Sequence, residues 1–116
     1  CVFNIVSVKH IDIIYKSVDY IKRNYSRKIT LEEVANYVFL SPSYFSKIFK
    51  AEMDISFNNY LNQLRIEKSK SYLLSSELDL IQIAELVGFE DQSYFTKVFK
   101  KMTGVTPGKY RQRHGK

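Results

Sequence analysis

An all-α fold is predicted for this chain, with two helix-turn-helix subdomains joined by a long connecting helix, about seven helices in all. Three observations carry that expectation. Only four glycines and two prolines punctuate the 116 residues, and strand-like alternation is scarce, so helices joined by short turns are the economical reading. The octapeptide Ser43-Tyr44-Phe45-Ser46-Lys47-Ile48-Phe49-Lys50 returns fifty positions later as Ser93-Tyr94-Phe95-Thr96-Lys97-Val98-Phe99-Lys100, with six residues identical and two exchanged for close relatives. Each copy keeps an apolar stripe and a cationic stripe at helical spacing, which suggests one surface made twice for an extended, repetitive partner. Double-helical DNA is the obvious candidate.

Taken in order, residues 1–8 are apolar and β-branched, and read as a linker or the tail of an upstream domain. From about Lys9 to Tyr25, Ile11, Ile14, Val18 and Ile21 recur at intervals of three and four, which predicts one buried face of an amphipathic helix. The basic stretch Lys22, Arg23, Arg27 and Lys28 follows. Thr30-Leu31-Glu32-Glu33 then reads as a capping box opening a short helix, and Asp79-Leu80-Ile81-Gln82 repeats its logic at an offset of forty-nine.

The offset becomes fifty in the turn that follows. In the first copy that turn is Phe39-Leu40-Ser41, with Ser41 as N-cap and Pro42 at the first helical position; in the second it is Gly88-Phe89-Glu90-Asp91, with Asp91 as cap. Ala35 and Ala84 supply the small side chain where two helices approach closely, so each copy is a helix-turn-helix. Ser56 and Thr106 are aligned N-caps further on, and Tyr60 matches Tyr110. Phe57, Tyr60, Leu61, Leu64 and Leu73 form the apolar side of a connecting helix over 57–74. At 1.5 Å per residue it spans about 27 Å, comparable to the roughly 34 Å between successive major grooves on one side of a duplex. The expected organisation is a first subdomain over 9–56, the connector over 57–74 and a second subdomain over 75–116.

Composition narrows the function. A 45% hydrophobic, 15% aromatic chain of this length buries a core for one domain or two very small ones. A net charge of +6 favours a polyanionic partner. Cys1, the single cysteine, excludes an internal disulfide framework and a cysteine-rich zinc site, which fits a cytoplasmic location. No apolar run approaches the roughly 20 residues that span a bilayer, so no membrane partner is expected. The sequence begins without an initiating methionine and is read as a piece of something longer, with any effector bound by an upstream domain outside it. His10 and His114 stand far apart, no ligand cluster has metal spacing, and no phosphate loop or nucleophile motif appears, so neither an enzyme nor a cofactor is expected.

On the repeated octapeptides, Phe45, Ile48 and Phe49 share one face, as do Phe95, Val98 and Phe99. Ser43, Ser46, Lys47 and Lys50 lie on the other side of the first, and Gln92, Ser93, Thr96, Lys97 and Lys100 on the other side of the second, with no acidic residue among them. Lys can donate to guanine O6 and N7, Gln can bond adenine bidentately, and Ser or Thr serves several base edges, so these are types that read a major groove. A solvated polar face is the bland alternative. Against it, such a face has no reason to repeat its residue types while turns and flanks drift. Tyr44 and Tyr94 sit at the edge of the apolar stripe and are expected to pack with a hydroxyl at the DNA backbone, while Lys50, Lys100, Arg65 and Arg111 are candidates for phosphates.

These residues carry a likeness. Ala84-Glu85-Leu86-Val87-Gly88-Phe89, Asp91-Gln92-Ser93-Tyr94-Phe95, Phe99-Lys100-Lys101, Thr103-Gly104 and Thr106-Pro107-x-x-Tyr110-Arg111 resemble the second motif of the DNA-binding domain of AraC/XylS-type transcription regulators. Leu40-Ser41-Pro42-Ser43-Tyr44-Phe45 and Tyr60-Leu61-Asn62-x-Leu64-Arg65-Ile66 resemble the first motif and connecting helix. The resemblance implies a seven-helix domain that sends one recognition helix of each motif into adjacent major grooves. It places base reading on Ser43, Ser46 and Lys47, and on Gln92, Ser93, Thr96 and Lys97, and implies transcription activation with RNA polymerase as a protein partner. Two departures concern the backbone: Phe39 replaces a glycine common in the turn, and Asp54 stands where Gly104 stands in the second copy. Either position can require left-handed geometry, which Asp tolerates better than Phe. The rival from another class is a helical protein-interaction module docking an acidic protein. A DNA-repair fusion is a second rival, against which one terminal cysteine cannot build the zinc site such chemistry requires.

Overall fold

Capping chemistry sets the element boundaries. The computed structural model describes residues 2–115, with side chains from residue 10 onward. Seven α-helices are found among them: α1 (Val2–Asn24), α2 (Leu31–Tyr37), α3 (Pro42–Met53), α4 (Phe57–Ser75), α5 (Leu80–Leu86), α6 (Gln92–Thr103) and α7 (Pro107–His114). Each expected N-cap accepts the backbone N–H three residues on: Thr30 from Glu33 at 3.0 Å, Ser41 from Tyr44 at 3.3 Å, Ser56 from Asn59 at 3.2 Å, Asp91 from Tyr94 at 2.7 Å and Thr106 from Lys109 at 3.2 Å. At α5 the box is reciprocal, with Asp79 accepting from Gln82 N at 2.8 Å while Gln82 Oε1 accepts from Asp79 N at 3.1 Å. At α2 the Glu33 carboxylate accepts the Tyr20 hydroxyl of α1.

The chain divides into two units, the first holding residues up to Asn24 with Ile29–Leu61, the second Tyr25–Lys28 with residues from Asn62 onward. In the first unit Ile14, Ile21, Val34, Ala35, Phe45, Ile48, Phe49, Phe57 and Leu61 are buried. Phe49 anchors that core, with ring centroids 5.6 Å from Phe45, 6.2 Å from Phe57 and 5.8 Å from Tyr60. In the second, Ile66, Leu73, Ile83, Ala84, Val87, Phe89, Phe95, Val98 and Phe99 form one cluster, with Tyr110 packed against it. No helix among the described residues is long and apolar enough to cross a membrane.

One local expectation is corrected, on α1. That helix starts at Val2, so residues 2–8 of the expected linker or tail have helical backbone; Cys1 itself lies outside the described residues. The buried line on α1 is Ile14, Ser17 and Ile21, whereas Ile11 is 58% exposed. Ser17 tolerates full burial because its hydroxyl donates to Ile14 O at 2.8 Å, a bond that apolar periodicity does not anticipate.

The two helix-turn-helix turns are built alike. Leu40 N donates to Ala35 O and Phe39 N to Asn36 O, at 2.9 and 3.1 Å; Phe89 N donates to Ala84 O and Gly88 N to Glu85 O, again at 2.9 and 3.1 Å. This is the Schellman pattern, which closes a helix through one left-handed residue. That residue is Phe39 (φ 62°) in the first turn and Gly88 (φ 100°) in the second, and the caps of α3 and α6 repeat the contrast with Asp54 (φ 59°) and Gly104 (φ 87°). Phe39 holds this conformation while 94% exposed, so packing does not offset its strain. Gly88 has a second reason to be glycine: a Cβ there would lie 2.4 Å from Tyr25 O and 2.8 Å from Arg65 Nε.

Gly88→Ala should therefore lower stability by more than about 2 kcal/mol, from strain and collision together, whereas Phe39→Gly should raise it by about 0.5–1 kcal/mol. Urea unfolding of the two variants beside the parent chain measures both.

Candidate nucleic-acid interface

Helices α3 and α6 owe their setting to the aromatic stripe each buries. Phe45, Ile48 and Phe49 face inward on α3, and Phe95, Val98 and Phe99 on α6. Since i, i+3 and i+4 share a face, the opposite face must point outward. Ser43, Ser46, Lys47 and Lys50 are exposed on α3; Ser93, Lys97 and Lys100 are exposed on α6, with Gln92 and Thr96 half-buried.

None of these nine side chains makes a hydrogen bond or ion pair with another described residue. Most Ser and Thr hydroxyls elsewhere are bonded. Ser69, Ser75, Ser76 and Thr103 donate to helix carbonyls, and Thr30, Ser41, Ser56 and Thr106 cap helices. Mid-helix Ser and Thr commonly turn back onto their own helix; Ser46 and Thr96, like the exposed Ser71 of α4, do not, which leaves their hydroxyls available to a partner. The outward faces thus carry hydroxyls, one amide and four ammonium groups, with no carboxylate to oppose an anion.

A family model described as a helix-turn-helix domain matches residues 34–113. The chain belongs to the AraC/XylS-type family of DNA-binding regulators. The C-terminal domain of AraT, a response regulator from Geobacillus stearothermophilus, superposes with a TM-score of 0.86 at 41% identity, covering 90% of this chain and 87% of that one. The regulatory protein PocR of Salmonella typhimurium is 42% identical over 97 residues, which are 84% of this chain and 32% of PocR. The bifunctional transcriptional activator and DNA repair enzyme AdaA of Bacillus subtilis is 36% identical over 94 residues, or 81% of this chain and 44% of AdaA. The chain thus spans between about a third and a half of these two curated relatives.

Within this AraC/XylS-type domain the remaining candidates separate. The Tyr44 hydroxyl meets His10 Nε2 at 2.9 Å, and the Tyr94 hydroxyl accepts from Asn62 Nδ2 at 3.1 Å, leaving both tyrosines about half exposed, at 44% and 49%. The sequence alone gives His10 and Asn62 no role at this face, since they sit on α1 and α4, outside the repeated octapeptides.

Arg65 and Arg111, expected at phosphates, both donate to backbone carbonyls. Arg65 is 8% exposed; its Nε donates to Tyr25 O at 2.9 Å and its Nη2 to Arg27 O at 3.0 Å, and the guanidinium lies 5.7 Å from the Phe89 ring centre. Burial holds its pKa below the usual value, with Tyr94 and Glu90 pulling the other way. Arg111 Nε donates to Leu73 O at 2.9 Å and Nη2 to Ser76 O at 3.2 Å, closing the C-terminal end of α4 where carbonyls lack helical partners. Both arginines are committed to backbone oxygens of their own unit, because a planar fork of donors can serve two carbonyls at once.

Arg65→Lys should cost about 2 kcal/mol in urea unfolding, since one ammonium cannot replace both charge-assisted bonds. The slope of log affinity for DNA against log salt should stay unchanged in that variant, where a phosphate ligand would lower it by about 0.9.

Proposed function

We propose that α3 and α6 each enter a major groove of duplex DNA, the two grooves being adjacent, and read bases there with Ser43, Ser46 and Lys47 from α3 and Gln92, Ser93, Thr96 and Lys97 from α6. The observation that carries this reading is that these side chains lie on the outward face of both repeated helices and make no bond to another described residue. Lys50 and Lys100, one turn further along their helices, meet phosphates together with the Tyr44 and Tyr94 hydroxyls. The net charge of +6 supports the same partner, because a polyanion releases counterions when lysines neutralise it.

In this reading the chain regulates transcription by activation, in the cytoplasm, with RNA polymerase as the protein it contacts and with any effector sensed by regions outside this sequence. Its work is binding rather than catalysis. The lysines at 47 and 97 act as point charges at guanine edges, and lack the fork that would let an arginine bind O6 and N7 in one plane.

Lys97→Ala should cost about 1–3 kcal/mol on the preferred duplex and relax preference at a single base pair, read by titrating a panel of duplexes each changed at one position. Lys100→Ala should weaken all duplexes alike and reduce the salt slope by about 0.9. A Lys97→Ala variant with an unchanged base preference overturns the base-reading role, and a parent chain that protects no duplex points instead to an acidic protein partner.

A further inference from the structure

The register that aligns α3 with α6 conceals a longer one. Ile14, Ser17, Tyr20 and Ile21 of α1 have counterparts fifty-two positions on, at Ile66, Ser69, Tyr72 and Leu73 of α4. The correspondence is structural as well as chemical. Ile14 and Ile66 are buried, Ile21 and Leu73 are buried, and Ser17 and Ser69 are both fully buried, each donating to the carbonyl three residues back at 2.8 and 2.7 Å. The repeated unit is therefore three helices, α1 to α3 and α4 to α6, and the long helix that leads into each helix-turn-helix belongs to it.

His10 and Asn62 stand at that same offset of fifty-two. Each reaches the hydroxyl of the repeated tyrosine in its own copy, His10 Nε2 at 2.9 Å from Tyr44 Oη and Asn62 Nδ2 at 3.1 Å from Tyr94 Oη. The His10 ring also meets the Tyr44 ring edge-on, with centroids 6.0 Å apart. Two residues of different type thus hold the same atom at equivalent points of two diverged copies.

The chemistry of the contact indicates the task. Asn62 Nδ2 can only donate, so the Tyr94 oxygen accepts from it and the phenolic proton is left to point outward. A phosphate oxygen can only accept. We propose that His10 and Asn62 are positioning residues for DNA binding, each holding the hydroxyl of its tyrosine with the proton directed at a phosphate oxygen of the duplex. By equivalence His10 carries its proton on Nε2 when DNA is bound, so that it too donates to the tyrosine. This inference rests on the DNA-facing reading of α3 and α6.

The test uses the whole chain and a duplex recovered with it from a random pool. Asn62→Ala and His10→Ala should each weaken binding about five-fold, the loss of one hydrogen bond, equally on preferred and unrelated duplexes. Asn62→Ala should add nothing to Tyr94→Phe, because without the hydroxyl there is no proton for Asn62 to orient. The exchanges His10→Asn and Asn62→His should stay within about two-fold of the parent, and thermal melting of all variants should match it. Additive losses for Asn62→Ala and Tyr94→Phe, or exchanges as harmful as the alanines, overturn the inference. If Lys97→Ala weakens binding while Asn62→Ala does not, this inference falls alone; if both are silent, the DNA-facing reading falls with it.

Discussion

Two buried aromatic stripes determine what the rest of the molecule can do. Phe45, Ile48 and Phe49 on α3, and Phe95, Val98 and Phe99 on α6, occupy the one helical face that can reach their cores. Truncating a buried phenylalanine of this kind costs about 3–5 kcal/mol, far more than any exposed polar contact returns, so the stripe fixes how each helix is rotated about its axis. Everything on the opposite face follows from that rotation. Ser43, Ser46, Lys47 and Lys50 face out because their neighbours must face in, as do Ser93, Lys97 and Lys100. Once outward, they make no bond to another described residue.

The same architecture made twice is not the same surface made twice. Both turns close with the same pair of Schellman bonds, but one passes through an exposed phenylalanine and the other through a glycine pressed against Tyr25 O and Arg65. The first recognition helix opens with Pro42, which has no side-chain donor, and the second with Gln92, whose amide can both donate and accept. The tyrosine hydroxyl is held by an imidazole in one copy and by an amide in the other. These differences fall at the ends of the helices proposed to enter the grooves, where a change of residue alters the bases that are favoured.

Much of this was legible in the amino-acid order, and the reason is local chemistry. N-caps and capping boxes act over three residues, so Thr30, Ser41, Ser56, Asp79, Asp91 and Thr106 could be placed without knowing what surrounds them. The inward and outward faces of α3 and α6 follow from a period of 3.6 and needed no tertiary knowledge either. What escaped was non-local. Arg65 and Arg111 look like any surface cations until the carbonyls that claim them, 35 to 40 positions away, are brought alongside. The kinship of α1 and α4 was hidden because the offset changes from fifty-two to forty-nine to fifty along the chain, and because buried serines break the apolar pattern that marks a core face.

A duplicated scaffold carrying two unlike reading faces makes a directional demand on DNA. Selection of bound duplexes from a random pool, read by sequencing, tests this most directly. The account predicts an asymmetric site with two blocks of unlike sequence, their centres about 10–10.5 base pairs apart. A palindromic site, a single enriched block or no enrichment at all would contradict it.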